Sequence, residues 1–288
     1  MKEALKNLLD TYPLQTQENY INALREIVQQ IALLGLWRAK FFESAAFYGA
    51  TALRIFYGLN RFSEDVDFSL LKTNPSFDLT PYLKAIQDEL ESFSFQFSVE
   101  RKVKSRVSQI ESAFIKGNTT TNLILVEAPA NLISRFHQNQ KLKVKLEVDI
   151  DPPSGAKYET KFLLRPIPFS VRLYTLPNLF AGKLHAVLCR GWQNRVKGRY
   201  FYDLVWYLGQ KTPCHLEHLK LRMIQSGHWD DSREFNRSIL LQLLDERFES
   251  LDFEKVKADV RPFIKDQDEL SLWDKTFFIE IIKDIKVQ

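Results

Sequence analysis

The chain has 288 residues, 45% of them hydrophobic and 26% charged, a balance that excludes intrinsic disorder and collagen-like repeats. Forty Lys and Arg against 36 Asp and Glu leave a net charge of +4, which neither demands nor repels a nucleic-acid partner. Two cysteines, Cys189 and Cys214, exclude a disulfide framework; with no apolar leader and no span of about 18 uncharged apolar residues, the sequence predicts a cytoplasmic protein without a membrane segment.

In chain order, residues 1–44 read as helix, because Tyr20, Ile21, Leu24, Ile27, Val28, Ile31 and Leu34 recur at three- and four-residue steps. An apolar stretch from Phe41 to Tyr48 stops at Gly49, and Thr51 to Tyr57 predicts a short helix with Gly58 as its C-cap. Over 64–71, Val66, Phe68 and Leu70 alternate with Asp65, Asp67 and Ser69, the period of a strand. Residues 79–93 predict a helix begun at Thr80-Pro81. Two β-rich runs follow, 93–115 and 120–127, with Lys116-Gly117-Asn118 as the turn between them. In 142–150 Leu142, Val144, Leu146, Val148 and Ile150 take one face and Lys143, Lys145, Glu147 and Asp149 the other, until Pro152-Pro153-Ser154-Gly155 ends the strand. From Pro177 the pattern turns helical, with stripes through Leu179 to Leu188 and Phe201 to Leu208 and further helices at 214–225, 232–249 and 270–286. A boundary near 168–176 divides an α/β half, 1–170, from a helical half, 171–288.

The chemistry concentrates in Gly49-Ala50-Thr51 and in Arg61-Phe62-Ser63-Glu64-Asp65-Val66-Asp67. On one strand Asp65 and Asp67 point the same way, and two carboxylates that close repel unless a cation lies between them; oxygen ligands suit a hard ion such as Mg²⁺. A glycine turn opening a helix offers N–H groups and a positive helix end to phosphate. Glu147 and Asp149, on the polar face of their strand, could add the further acids of a two-metal site. Each feature also has a plain reading: a D-x-D pair or a Lys/Glu alternation suits any solvated strand face. Lys183, beside the small residues Ala181, Gly182 and Ala186, could neutralise phosphate charge or could hold its head in water. Cys214, His215, His218 and His228 lack paired zinc-ligand spacing, so no structural zinc is expected. Arg101-Lys102-Val103-Lys104 and Lys141 to Lys145 read as solvated strand faces. Trp192, within the basic segment from Arg190 to Arg199, could stack on an RNA base.

Taken together, GATALRIFYGLNRFSEDVDFSL, VKLEVDIDPP and LPNLFAGKLHAVLCRGWQNRVKGRYFYDLVWYL, spread over residues 45–210, resemble the AbiEii/AbiGii-type nucleotidyltransferase toxins of the DNA polymerase beta-like superfamily. The resemblance implies an α+β fold: a polymerase beta-like nucleotidyltransferase domain with a mixed sheet, followed by a C-terminal helical bundle. It also implies transfer of a nucleotide from an NTP with Mg²⁺ to an RNA acceptor, in some related toxins a tRNA 3′ end, and a cognate antitoxin encoded nearby. Carried onto this chain, Gly49 and Thr51 match the glycine motif, and Arg61, Ser63, Asp65 and Asp67 match the R-x-S-x-D-x-D block. Glu147 matches the second acidic motif, Lys183 the lysine of the third, and Asp203 an aspartate of the fourth. Asp65, Asp67, Glu147, Lys183 and Asp203 are thus the expected catalytic residues. Asp65, Asp67, Glu147 and Asp149 are the expected metal ligands, and Gly49, Thr51, Arg61 and Ser63 the nucleotide contacts. Two positions depart from the family pattern: Ala50 stands where a second glycine is usual, and Tyr200 where the K-G-R-D motif has its aspartate. A non-catalytic nucleotide- or RNA-binding module and a metal-dependent nuclease are the alternatives, the latter weakened by the lack of a Glu-x-Lys pair at Glu147-Val148-Asp149.

Overall fold

A computed structural model describes residues 5, 8–12, 14–102, 108–190, 197–264 and 266–288. The chain divides into two compact units: Met1–Ala52 with Phe62–Pro152 and Glu159–Leu173, and Leu53–Arg61 with Pro153–Tyr158 and Tyr174–Gln288. No described helix is long and apolar enough to cross a membrane.

The first unit is built on a seven-stranded mixed sheet. Its strands are β1 (Ala45–Tyr48), β2 (Val66–Leu70), β3 (Phe97–Arg101), β4 (Ile110–Asn118), β5 (Lys141–Asp149), β6 (Tyr158–Leu163) and β7 (Phe169–Tyr174), in the order β3-β4-β5-β2-β1-β7-β6. β1 runs antiparallel to β2 and parallel to β7, and β2 runs parallel to β5. The α+β expectation holds. Helix α1 (Gln17–Arg38) begins at a capping box: Thr16 accepts from the Asn19 N–H, and the Asn19 side chain accepts from the Thr16 N–H. Its apolar stripe is buried, as is the inner face of α3 (Thr80–Ser92), so the expected helix at 79–93 is present, while the one expected over 1–44 is interrupted before Gln17 and ends at Arg38, ahead of a 3-10 turn at Phe41–Glu43. The alternation in 142–150 is also as expected: Leu142, Val144, Leu146, Val148 and Ile150 are all buried.

Two expectations fail. Lys116-Gly117-Asn118 is the end of β4 and no turn, and 119–125 is a helix, α4 (Thr119–Leu125), where a strand was expected. Gly117 is required by its neighbour strand: a Cβ there would lie 2.6 Å from a ring carbon of Phe97 and 2.7 Å from the Gln96 carbonyl oxygen. Asn118 serves as an N-cap, its side chain accepting from the Thr121 N–H at 2.9 Å. Turn-forming residues here satisfy a tight strand contact and a helix start. Strands β6 and β7 were not anticipated, and residues 103–107 of the first β-rich run lie outside the described residues. A four-residue helix, α5 (Ala130–Ile133), precedes β5.

The second unit is helical: α6 (Leu176–Cys189), α7 (Arg199–Gly209), α8 (Leu216–Gln225), α9 (Arg237–Glu249), α10 (Phe253–Val260) and α11 (Lys275–Ile282). Only α10 was not anticipated. Asn236, Asp252 and Asp274 cap α9, α10 and α11 through side-chain oxygens. Aromatic contacts fill the core: Phe180 stacks on Tyr207 at 4.5 Å, and Phe201 meets Phe278 edge-on at 5.6 Å. His218 is fully buried, edge-on to Tyr174 at 5.8 Å. Burial, helped by Arg222, lowers its pKa to about 3, whereas the unfolded chain binds that proton near pH 6.5. The unfolded state therefore takes up the proton first, and stability is full above pH 6.5 and declines as the pH falls toward 3. The ideal slope is about 1.4 kcal/mol per pH unit. His218→Phe is expected to lose less stability than wild type between pH 7 and pH 4.5, as read by thermal melts; equal losses in both chains would contradict this.

Candidate active-site residues

β1 ends at Gly49, which opens helix α2 (Gly49–Tyr57) with φ +83°. A Cβ at this position would lie 2.7 Å from Oδ2 of Asp67 and 3.3 Å from its Cβ. Glycine is needed here twice over, for the left-handed backbone and for the carboxylate lying against it. Gly58, with φ +79°, ends the helix as the sequence predicts. Thr51 is fully buried, and its hydroxyl donates to the main-chain carbonyl of Asp65. The buried Gln29 amide donates to the Ser63 carbonyl at 3.0 Å. Helix α2 and helix α1 thus each pin one end of the 63–65 segment and fix how the chain enters β2.

Asp65 precedes β2 by one residue and is exposed, while Asp67 is half-buried within the strand. In register, Asp67 stands beside Glu147 on the parallel neighbour β5 and beside Tyr48 on β1. Ser69 stands beside Asp149. Register-paired residues on adjacent strands share a face, with the strands about 4.8 Å apart. A carboxylate from each of two distant sequence segments therefore comes to one place on the sheet. Glu147 is met by the Lys145 ammonium at 2.6 Å and by the Ser112 hydroxyl at 3.4 Å. Asp149 accepts from the Asp151 N–H at 3.1 Å. Ser112 was not singled out from sequence, and Lys145, read there as part of a solvated strand face, instead pairs with Glu147 two residues on along the same face.

The donor chemistry fits a hard divalent cation. Among the described residues no three His, Cys, Asp or Glu side chains form a ready-made metal cluster. Mg²⁺ does not need one: it is ordinarily held by one or two carboxylates together with substrate phosphates and water. Asp67 and Glu147 are two such carboxylates in register, with Asp65 close in sequence. The Gly49 contact supplies a fit test of a different kind. Gly49→Ala would drive a methyl into the Asp67 carboxylate and strain the backbone, with a stability loss near ~1 kcal/mol; if the nucleotide transfer expected from the motifs takes place here, its rate should fall at least about tenfold. Initial rates alongside urea midpoints measure both; undiminished activity would remove Asp67 from the site.

In the second unit, Arg61, Lys183 and Asp203 form a buried ionic cluster. Arg61 donates to both Asp203 carboxylate oxygens, at 2.6 and 2.7 Å, and the Lys183 ammonium lies 2.5 Å from Oδ2. Burial alone would raise the Asp203 carboxyl, but Arg61 and Lys183 together outweigh it and hold the pKa below its ordinary value. Burial lowers the Lys183 ammonium below the lysine range, with Asp203 opposing and Arg61 adding to the fall. The Tyr200 ring lies 4.7 Å from the Lys183 ammonium, 5.2 Å from the Arg190 guanidinium and 5.8 Å from the Lys197 ammonium, and its hydroxyl accepts from Arg190. An aromatic face thus gathers cations at the position where the family motif carries a carboxylate. Residues 191–196, with Trp192 and Arg195, lie outside the described residues.

Among solved structures, JHP933 from Helicobacter pylori shares this fold with a TM-score of 0.50 and 17% identity, over 90% of this chain and 89% of that one. A "putative nucleotidyltransferase from H. pylori" aligns over 90% of this chain and 92% of its own, with 18% identity and a TM-score of 0.49. No curated protein matches the chain. The family described as "Nucleotidyl transferase AbiEii toxin, Type IV TA system" matches residues 31–277, a span that holds every acid, glycine and cation described above. By that match the chain belongs to the AbiEii nucleotidyl transferase toxin family.

Proposed function

We propose that this protein transfers a nucleoside monophosphate from an NTP to a hydroxyl of an RNA acceptor, with Mg²⁺, and that a tRNA 3′ end is the first acceptor to test. In this reaction the acceptor oxygen bonds to the α-phosphorus, the bond from that phosphorus to the β-phosphate bridge breaks, and pyrophosphate leaves. The observation that carries the reading is the register of Asp67 beside Glu147, with the Gly49 backbone against the Asp67 carboxylate. Asp65, Asp67 and Glu147 would hold Mg²⁺, with Asp149 as a further acid on the same strand. Bound there, the ion would offset phosphate charge and favour the ionised acceptor hydroxyl. Gly49 leaves its N–H and the start of α2 uncrowded by a side chain, which suits a triphosphate. Thr51 and Ser63 act as positioning residues, through the Asp65 carbonyl and the Gln29 amide. For Lys183 we propose the neutralisation of phosphate charge, with Asp203 and Arg61 fixing its ammonium.

The test is incubation of the purified protein with each α-³²P-labelled NTP, Mg²⁺ and total RNA. Labelled RNA is expected with one favoured NTP, and a chelator should abolish it. No label in RNA with any NTP would overturn the reading, and shortened RNA would favour a nuclease. One observation favours a second reading, in which the chain binds nucleotide without turnover: Tyr200 and its surrounding cations replace the motif aspartate. NTP binding without transfer, converted to transfer by Tyr200→Asp, would establish that alternative. As a member of a type IV toxin–antitoxin family, the protein has a cognate antitoxin as its expected genetic partner.

A further inference from the structure

At the margin of the sheet, β6 and β7 meet the end of α1 around a groove of about 600 Å³. Trp37 and Phe42 give it apolar walls, and Arg38, Lys40 and Arg172 line it against the single acid Glu43. Thr160 of β6 and Ser170 of β7 also line it. Side chains alternate along a strand, so Phe162 shares the face of Thr160, and Arg172 that of Ser170. Phe162 is 69% exposed, Leu164 67% and Ile167 37%. Large apolar side chains this exposed, gathered on one hairpin at a sheet margin, are characteristic of an interaction surface.

The charges narrow the choice of partner. Arg38 is paired with Glu89 at 2.8 Å. The Arg172 guanidinium donates to the main-chain carbonyl of Glu43 at 3.2 Å, a neutral acceptor, and forms no ion pair among the described residues. The groove therefore carries excess positive charge beside an apolar ridge. A second copy docked by two-fold symmetry would bring the same net-basic patch to both sides of the interface, so it would supply no net acidic partner surface for Lys40 and Arg172. A nucleic acid would find phosphate partners but no use for Leu164 and Ile167, which neither stack on bases nor donate hydrogen bonds. We propose that this margin docks an acidic segment of a partner protein, its apolar side chains against Phe162 and Leu164 and its carboxylates toward Lys40 and Arg172. The proposal concerns strands other than those bearing Asp67 and Glu147 and stands apart from the transfer reaction.

The test is fluorescence anisotropy on the full chain with a labelled peptide, Glu-Asp-Leu-Phe-Asp-Glu, its counterpart with lysines in place of the acids, and a single-stranded oligonucleotide of equal length. The acidic peptide is expected to bind about tenfold or more tightly than the basic one. A Phe162→Ser/Leu164→Ser variant and a Lys40→Glu/Arg172→Glu variant should each weaken it by about the same factor, with thermal stability and RNA labelling unchanged. Several results would overturn the proposal: no peptide binding, equal affinity for both peptides, or variants without effect. So would tighter binding of the oligonucleotide lost in the same variants, or a dimer in sedimentation that Phe162→Ser/Leu164→Ser dissolves.

Discussion

Asp67→Asn is expected to lower nucleotide transfer by about 10³-fold or more, equivalent to about 4 kcal/mol of transition-state stabilisation, while leaving the fold intact. Asp67 lies half-buried beside a second carboxylate, Glu147, on the neighbouring parallel strand. The variant should lose far less stability than activity, because Asn keeps the size and the hydrogen-bonding capacity of the side chain. Glu147→Gln should behave alike, softened because Lys145 already neutralises Glu147 at 2.6 Å. Rates with saturating NTP, together with thermal melts, decide the matter. A variant that loses stability in step with activity would make Asp67 a structural residue.

Asp203→Ala has the largest expected effect on stability. Removing the carboxylate takes their shared partner from two buried cations, Arg61 and Lys183, at a cost of about 3–5 kcal/mol. Urea unfolding reads this as a lower midpoint at an unchanged slope. Should the variant fail to fold, the triple replacement Arg61→Met/Lys183→Met/Asp203→Leu removes every charge of the cluster together and should recover most of the stability. That triple variant also separates architecture from chemistry: if Lys183 neutralises phosphate, the refolded protein stays inactive. A loss below about 1 kcal/mol for Asp203→Ala would mean that the cluster is solvated and contributes little. The same pairing sets an acid limit. The Asp203 carboxyl is held below its ordinary value in the folded chain, so its contribution is present above that ordinary value and is lost as the pH falls through the folded one.

What could be read from sequence follows the range of the interactions involved. β2 and β5 are set by two-residue alternation, and α2 by a glycine at each end, so these elements and the residues on them were legible locally. The family resemblance also held, because its motifs occur in order over a long span. That Asp67 and Glu147 belong together came from the resemblance and not from local pattern: strand order is a long-range choice, and five elements, α3, β3, β4, α4 and α5, separate β2 from β5. The Gly117 misreading has the same origin, since the need for glycine lies across the sheet at Phe97. Arg61 was assigned to the nucleotide by its motif; that it also engages Asp203, 142 positions away, was not legible from local sequence. β6 escaped notice because Phe162 and Leu164 stay exposed, so its sequence lacks the contrast between buried and solvated faces that marks β2 and β5.

A crystal structure of the protein with a non-hydrolysable NTP and Mn²⁺, the ion located by its anomalous signal, tests the central claim most directly. The expected density has the ion bound by Asp67 and Glu147, with the triphosphate against Gly49 and the first turn of α2. An ion and triphosphate seated elsewhere, with Asp67 still turned onto protein groups alone, would contradict it.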